Sequence, residues 1–129
     1  MAPRRLTFLA LSVSDLQRSV QFYRDVVGLP LGNTSHDAEK NDPWYGGDHA
    51  AYSWTEGAFM HFALYPSREP QRPVTTAAQV GFHVPDFDEV HARLVRSGAE
   101  VVQEPRDEPW GQTARYLDPD RNIVSITAV

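Results

Sequence analysis

The chain contains no cysteine, which removes disulfides, thiolate nucleophiles and cysteine-ligated zinc from consideration. It has no basic excess either: 12 Lys+Arg stand against 17 Asp+Glu, a formal net charge of −5. A nucleic-acid binder needs a cationic face to neutralise phosphates, so no nucleic acid is expected as a partner. No hydrophobic run approaches the roughly 20 residues that a membrane span requires. The basic start Met1-Ala2-Pro3-Arg4-Arg5 leads into an apolar stretch that already ends at Ser12-Val13-Ser14-Asp15, too short for a signal peptide. A cytoplasmic protein without membrane contact is the expectation. No Gly-rich phosphate loop, Ser-His-Asp order or paired-carboxylate spacing stands out.

What the chain does have is apolar and aromatic bulk. Its 129 residues are 41% hydrophobic and include 6 Phe, 5 Tyr and 3 Trp, enough to build one domain or two small halves sharing a core. Residues 6–13 (LTFLALSV) read as a buried strand. Ser14 follows as a candidate N-cap, with Gln17 at the capping-box position. Leu16, Val20, Tyr23 and Val27 then recur at helical spacing, Gly28 sits where a left-handed C-terminal residue is wanted, and Pro30 forbids continuation. Residues 33–48, with Pro43, Trp44, Tyr45 and Gly46-Gly47, read as a long loop. Strands are expected over residues 50–55 and 58–65, around a turn at Glu56-Gly57. Residues 66–73 (PSREPQRP) hold three prolines and three charges and read as a linker.

After the linker the pattern restarts. Residues 79–84 (QVGFHV) form a strand, Asp86 and Glu89 stand at capping-box spacing, Phe87, Val90 and Leu94 make a helical stripe, and Gly98 ends it. Strands are expected at 99–103, 112–117 and 123–128, the last two joined by the turn Asp118-Pro119-Asp120-Arg121-Asn122. Val13, Asp15, Leu16 and Tyr23 match Val84, Asp86, Phe87 and Leu94 at a constant offset of 71 residues. Such a repeat means one structural unit used twice. The predicted fold is α+β: two βαβββ modules, residues 1–65 and 75–129, joined by the linker 66–74. A half of this size cannot bury both faces of its sheet, so the curved mixed sheet is expected to wrap a pocket, with the helices on the outer face.

Strand alternation assigns the pocket side. With helices over Leu9, Leu11 and Val13, the opposite row is Phe8, Ala10 and Ser12. The same alternation gives Phe59, His61, Ala63 and Tyr65, then Gln79, Gly81 and His83, then Ile123, Ser125 and Thr127. The surface this predicts is aromatic and hydrogen-bonding with few charges, suited to a planar or amphipathic molecule.

Three segments resemble the glyoxalase / bleomycin-resistance / extradiol dioxygenase superfamily, the vicinal oxygen chelate proteins. They are LSVSDLQRSVQFYRDVVGL (residues 11–29), GFHVPDFDEVHARLVRSGAEVV (81–102) and WGQTARYLDPDRNIVSIT (110–127). The resemblance implies a metal site in the superfamily's enzymes, with side chains from the first and last strand of each half. Here those positions carry Phe8, Gln79 and Ser125, while the fourth falls on His61 or, in an alternative register, on Ala63. A divalent ion needs about three or four lone-pair donors, usually with a carboxylate among them. Phe8 donates nothing, Ser125 is a poor ligand and Gln79 a weak one. No cofactor is therefore expected.

The resemblance implies instead a metal-independent binder of a small aromatic or amphipathic molecule, similar to the antibiotic-sequestering members, and acting as a homodimer. The alternative is a superfamily enzyme of lyase, isomerase or dioxygenase type, using a divalent metal or His61 as acid/base. The candidate ligand-binding residues are Phe8, Trp44, Trp54, Phe59, His61, Gln79, Trp110, Arg115 and Ser125, with His61 the candidate catalytic group. His83 and His91 read as structural, and His36 and His49 border the long loop.

Overall fold

The structure, a computed structural model, describes residues 4–32, 35–37, 47–57 and 59–129. They form two compact units, one of Met1–Val20 and Pro30–Val74, the other of Gln21–Leu29 and Thr75–Val129. The division sends the second half of the first helix to the second unit, whereas the repeat places it in the first module.

The first unit contains β1 (Phe8–Val13), α1 (Leu16–Val20), β2 (Ser35–Asp37), β3 (Gly47–Trp54) and β4 (Met60–Pro66). Its sheet has the order β1-β4-β3-β2, with β1 parallel to β4 and the other pairs antiparallel. Leu11, Val13, Phe62, Leu64 and Ala50 are buried on the α1 side of this sheet together with Val20. Part of the stretch read as a loop is strand: β2 and the start of β3 lie in it and pair Ser35 with His49 and Asp37 with Gly47. A three-residue polar strand carries no alternating apolar signal, so only its pairing reveals it.

Capping also differs from expectation. The Arg18 backbone N–H donates to Asp15 Oδ1 at 3.1 Å, so Asp15 rather than Ser14 caps α1. The helix continues as a π-helical stretch, Gln21–Val27, instead of one regular α-helix, and buries Phe22 and Tyr23 side by side. It ends as predicted at Gly28, with φ +95°, and the Leu29 N–H closes back on the Tyr23 carbonyl at 2.9 Å.

The second unit repeats the topology with β5 (Gln79–Val84), α2 (Phe87–Arg96), β6 (Val101–Glu108), β7 (Gly111–Leu117) and β8 (Ile123–Ala128). The sheet order is β5-β8-β7-β6, again with its first pair parallel. Phe87, Val90 and Leu94 of α2 are buried, as are Val80, Val84, Ala114, Tyr116, Val124 and Ile126 of the sheet. Asp86 precedes α2 but makes no side-chain cap bond, so the predicted capping box does not form; its Oδ2 lies 3.8 Å from Arg93 Nη2 instead. The far end closes around Gly98, with φ +84°, through Gly98 N–H to the Val95 carbonyl and Ala99 N–H to the Leu94 carbonyl. β6 runs past the expected end at residue 103 to Glu108, and its register shift between Gln103 and Arg106 leaves Pro105 in a bulge. A proline, having no N–H, is tolerated in a strand at such an irregularity.

The turn Asp118–Asn122 is the densest polar structure in this unit. Asp118 Oδ1 accepts from the backbone N–H groups of Asp120 and Asn122, both at 2.8 Å. Its Oδ2 accepts from Tyr23 Oη at 2.6 Å and from Asn122 Nδ2 at 3.0 Å. Asn122 also donates to the Thr75 carbonyl and accepts from the Ala78 N–H. Burial, and then the charge of Asp118, raise the Tyr23 phenol well above its ordinary pKa, so it stays a donor. The α+β class and the twofold βαβββ plan are present, each unit holding one four-stranded sheet. Among the described residues no helix is long and apolar enough to cross a membrane.

Candidate functional site

The α1-facing side of the first sheet is used for the core, so a ligand surface must lie on the other side. Register places Phe8 (β1), His61 (β4) and Ser53 (β3) in one row there. The Phe8 and His61 rings stack, with centroids 5.4 Å apart and planes within 10°. His61 Nδ1 shares a 2.6 Å hydrogen bond with Ser53 Oγ. One ring face and one ring nitrogen of His61 are thus engaged by its neighbours, while Phe8 remains 40% exposed.

The next row is Ala10, Ala63 and Ala51. The third is Ser12, Tyr65 and His49, in which the His49 and Tyr65 rings stack at 5.5 Å. The Arg72 guanidinium lies 5.1 Å from the centre of the Tyr65 ring and donates to the Pro66 carbonyl, while the Arg72 backbone carbonyl accepts from Ser12 Oγ. The linker 66–74 is therefore fastened to the first unit at this end of the sheet. Phe59, just before β4, is 49% exposed.

On the second sheet the face opposite α2 carries Gln79, Gly81 and His83 of β5, Ile123, Ser125 and Thr127 of β8, and Thr113, Arg115 and Leu117 of β7. Gln79 and Gly81 are exposed, while Ser125 and Arg115 are half-buried. Arg115 Nη1 donates to Gln103 Oε1. A β-carbon on Gly81 would come 2.7 Å from Ser125 Oγ, so the absence of a side chain at 81 leaves room for that hydroxyl. Thr113 and Thr127 share a buried 3.1 Å hydrogen bond. Trp110, at the turn between β6 and β7, is 61% exposed.

These placements bring together, within the first sheet, Phe8 and His61, and within the second, Gln79, Ser125 and Arg115 on a common face. Trp54 is elsewhere: it pairs with Met60 and packs edge-to-face on Tyr52 at 5.1 Å, on the opposite side of the first sheet from His61. Trp44 lies outside the described residues, and of His36 only its place in β2 is described. His91 is bound to Tyr116 Oη at 2.6 Å on the α2 side of the second sheet. Sequence reasoning missed Ser53 and Gln103, the partners of His61 and Arg115. A signal for Ser53 existed: a hairpin turning at Gly57 pairs residues equidistant from it, and 53 and 61 are such a pair. Nothing comparable marked Gln103, because the bulged β6 breaks the count.

The register also separates His61 from Ala63. In the second sheet Gly81 pairs with Ser125; in the first, the same position of the parallel pair is Ala10 with Ala63, while His61 corresponds to Ile123. The first-sheet counterpart of Ser125 is thus Ala63, which has no donor. Among the described residues no three His, Cys, Asp or Glu side chains cluster as a metal site would require. The donors at the expected ligand positions do not suit a divalent ion.

This geometry has recognisable relatives. The chain is 26% identical to the uncharacterized protein YraH of Bacillus subtilis, covering 95% of this chain and 96% of that protein. It is 27% identical to the glutathione transferase FosA of Serratia marcescens, covering 94% and 78% respectively. Among solved structures, TnmS3, an antibiotic binding protein from Streptomyces sp. CB03234, superposes with a TM-score of 0.70 at 25% identity, covering 99% of this chain and 98% of that one. A glyoxalase/bleomycin resistance protein from the same strain superposes with a TM-score of 0.69 at 24% identity, covering 95% and 99%. The profile of one family matches residues 5–126, nearly the whole chain. The protein belongs to the Glyoxalase/Bleomycin resistance protein/Dioxygenase superfamily.

Proposed function

We propose that this superfamily member binds a small aromatic or amphipathic molecule without a metal ion, in the manner of antibiotic sequestration, and does so as a homodimer. The observation that carries the reading is the Phe8–His61 stack. At a position where the superfamily's enzymes hold a metal ligand, this chain puts a benzyl ring, and it engages the neighbouring imidazole through that ring and Ser53. A half-exposed aromatic surface offers a planar ligand dispersion and ring contacts, and needs no reaction chemistry. The likeness to TnmS3, described as an antibiotic binding protein, supports the same reading. Phe8, Phe59 and Trp110 are 40, 49 and 61% exposed in the single chain, aromatic surface that a second copy or a ligand can cover.

The test is titration of chelator-treated protein with bleomycin and with planar polycyclic antibiotics, followed by tryptophan fluorescence and calorimetry. Saturable binding with one site per chain, unaffected by chelation, is expected, together with a dimer mass in sedimentation. Binding that appears only on adding a divalent metal sinks the metal-free reading. A second reading is favoured by the likeness to FosA, described as a glutathione transferase: transfer of glutathione to an electrophilic compound. Consumption of glutathione in the presence of an electrophilic compound would support it.

A further inference from the structure

The open faces of the two sheets differ most in their middle row. In the first sheet that row is Ala10, Ala63 and Ala51, joined in register across β1, β4 and β3. In the second the same topological positions hold Gly81, Ser125 and Arg115, with Gln103 next on β6. A guanidinium stands where the duplicate has a methyl group.

Arg115 projects away from α2, because its neighbour Tyr116 projects toward it and bonds His91 of that helix. Its one described partner is neutral: Nη1 donates to Gln103 Oε1. Arginine carries five N–H donors in a planar fork, and no carboxylate among the described residues pairs with this one. Two of the acidic groups of the adjoining strand have other described interactions. Glu108 is held by Arg106 at 2.5 Å, and Glu104 exerts its charge on the Tyr116 phenol. In a chain with 17 acidic and 12 basic residues, a half-buried cation flanked by serine, glycine and glutamine is a departure from pairing. Beside it, Gly81 leaves space for the Ser125 hydroxyl, which a β-carbon 2.7 Å away would displace.

We infer that this row is an oxyanion subsite that takes the carboxylate of an aromatic ligand, with Arg115 donating two parallel N–H bonds, Gln103 fixing the guanidinium, and Ser125 Oγ adding a further donor. The inference rests on the reading that the chain binds small aromatic molecules, and narrows their class to acids.

The experiment compares 2-naphthoate with neutral 2-naphthamide by isothermal titration calorimetry at pH 7.5, on wild type, Arg115→Gln and Arg115→Lys. Wild type is expected to prefer the acid by tenfold or more, a preference that shrinks with added salt. Arg115→Gln should bring the ratio close to one. Arg115→Lys, which keeps the charge but loses the fork, should fall between them, and thermal melts establish that both variants are folded. Equal affinities for acid and amide in wild type overturn the inference alone and leave the aromatic-binder reading standing. So does a preference that survives in Arg115→Gln. If neither compound binds wild type, the binder reading fails for this ligand class and the oxyanion subsite fails with it.

Discussion

The two modules have the same strand order and the same register in their parallel pair, yet their open faces are chemically unlike. The first is aromatic over an alanine floor: Phe8 on His61, Tyr65 on His49, and Ala10, Ala63 and Ala51 between them. The second is polar, with Ser125, Arg115, Gln103 and the Thr113–Thr127 pair. The helix-facing sides, by contrast, are alike, being built of Leu, Val, Ile, Phe and Tyr. Packing constrains the helix side to similar volumes in both copies, whereas the other side was free to diverge.

Their last hairpin turns differ as well. The first is the exposed Glu56-Gly57 turn; the second is the buried Asp118–Asn122 turn with its network to Tyr23. Truncating the second should therefore have the largest effect. Asp118→Ala leaves Tyr23 Oη and two backbone N–H groups without their acceptor, and is expected to cost about 3 kcal/mol, or roughly 10 °C in Tm. Glu56→Ala should stay within about 0.5 kcal/mol, as surface changes usually do. Comparable losses at both turns in thermal and urea melts would erase the contrast.

Tyr116 gives the second module a pH signature. Burial, followed by the charge of Glu104, pushes its phenol up to about 12 from an ordinary value of 10.0. A folded-state pKa above the unfolded one means stability is fully present below pH 10 and is lost as pH rises from there toward 12. The expected loss at pH 11 is about 1.4 kcal/mol, and Tyr116→Phe should remove that part of the alkaline slope, leaving Tyr23 as a second contributor. Melts between pH 8 and 11 check the sign. On the first module's face, Phe8→Ala should weaken binding of a planar aromatic ligand by about tenfold, the value of one ring contact of ~1.4 kcal/mol. An unchanged Kd by calorimetry would separate the Phe8–His61 stack from ligand binding.

The smallest contrast lies at the helix starts. Asp15 caps its helix with a 3.1 Å bond and Asp86, at the repeat-equivalent position, does not. Asp15→Ala should cost about 1 kcal/mol. Asp86→Ala should cost only a few tenths, the usual worth of an exposed ion pair such as Asp86–Arg93. Equal losses would mean that the capping bond does not account for the difference.

The repeat itself was legible because it is written in local signals. Gly28 and Gly98 are read from helix-stop chemistry, and both carry the positive φ that this chemistry requires. Leu11, Val13, Phe62, Val90, Leu94 and Ile126 are read from periodicity and are buried. The side of the sheet on which Phe8, His61, Gln79 and Ser125 stand follows from alternation by two, whereas that of Arg115 is given by its pairing with Ser125. The short polar strand β2 and the bulged β6 were not legible, since the first has no apolar pattern and the second breaks its period at Pro105.

Sequence alone thus determined the α+β class and the duplicated βαβββ unit. Those properties depend on residue type and on spacing within a few turns or strands. Tertiary structure decided the partners. Ser53 reaches His61, Gln103 reaches Arg115, Tyr23 reaches Asp118 95 residues away, and Ala63 rather than His61 stands opposite Ser125 in the repeat. Partners of this kind are set by strand register and chain return, which no local pattern encodes.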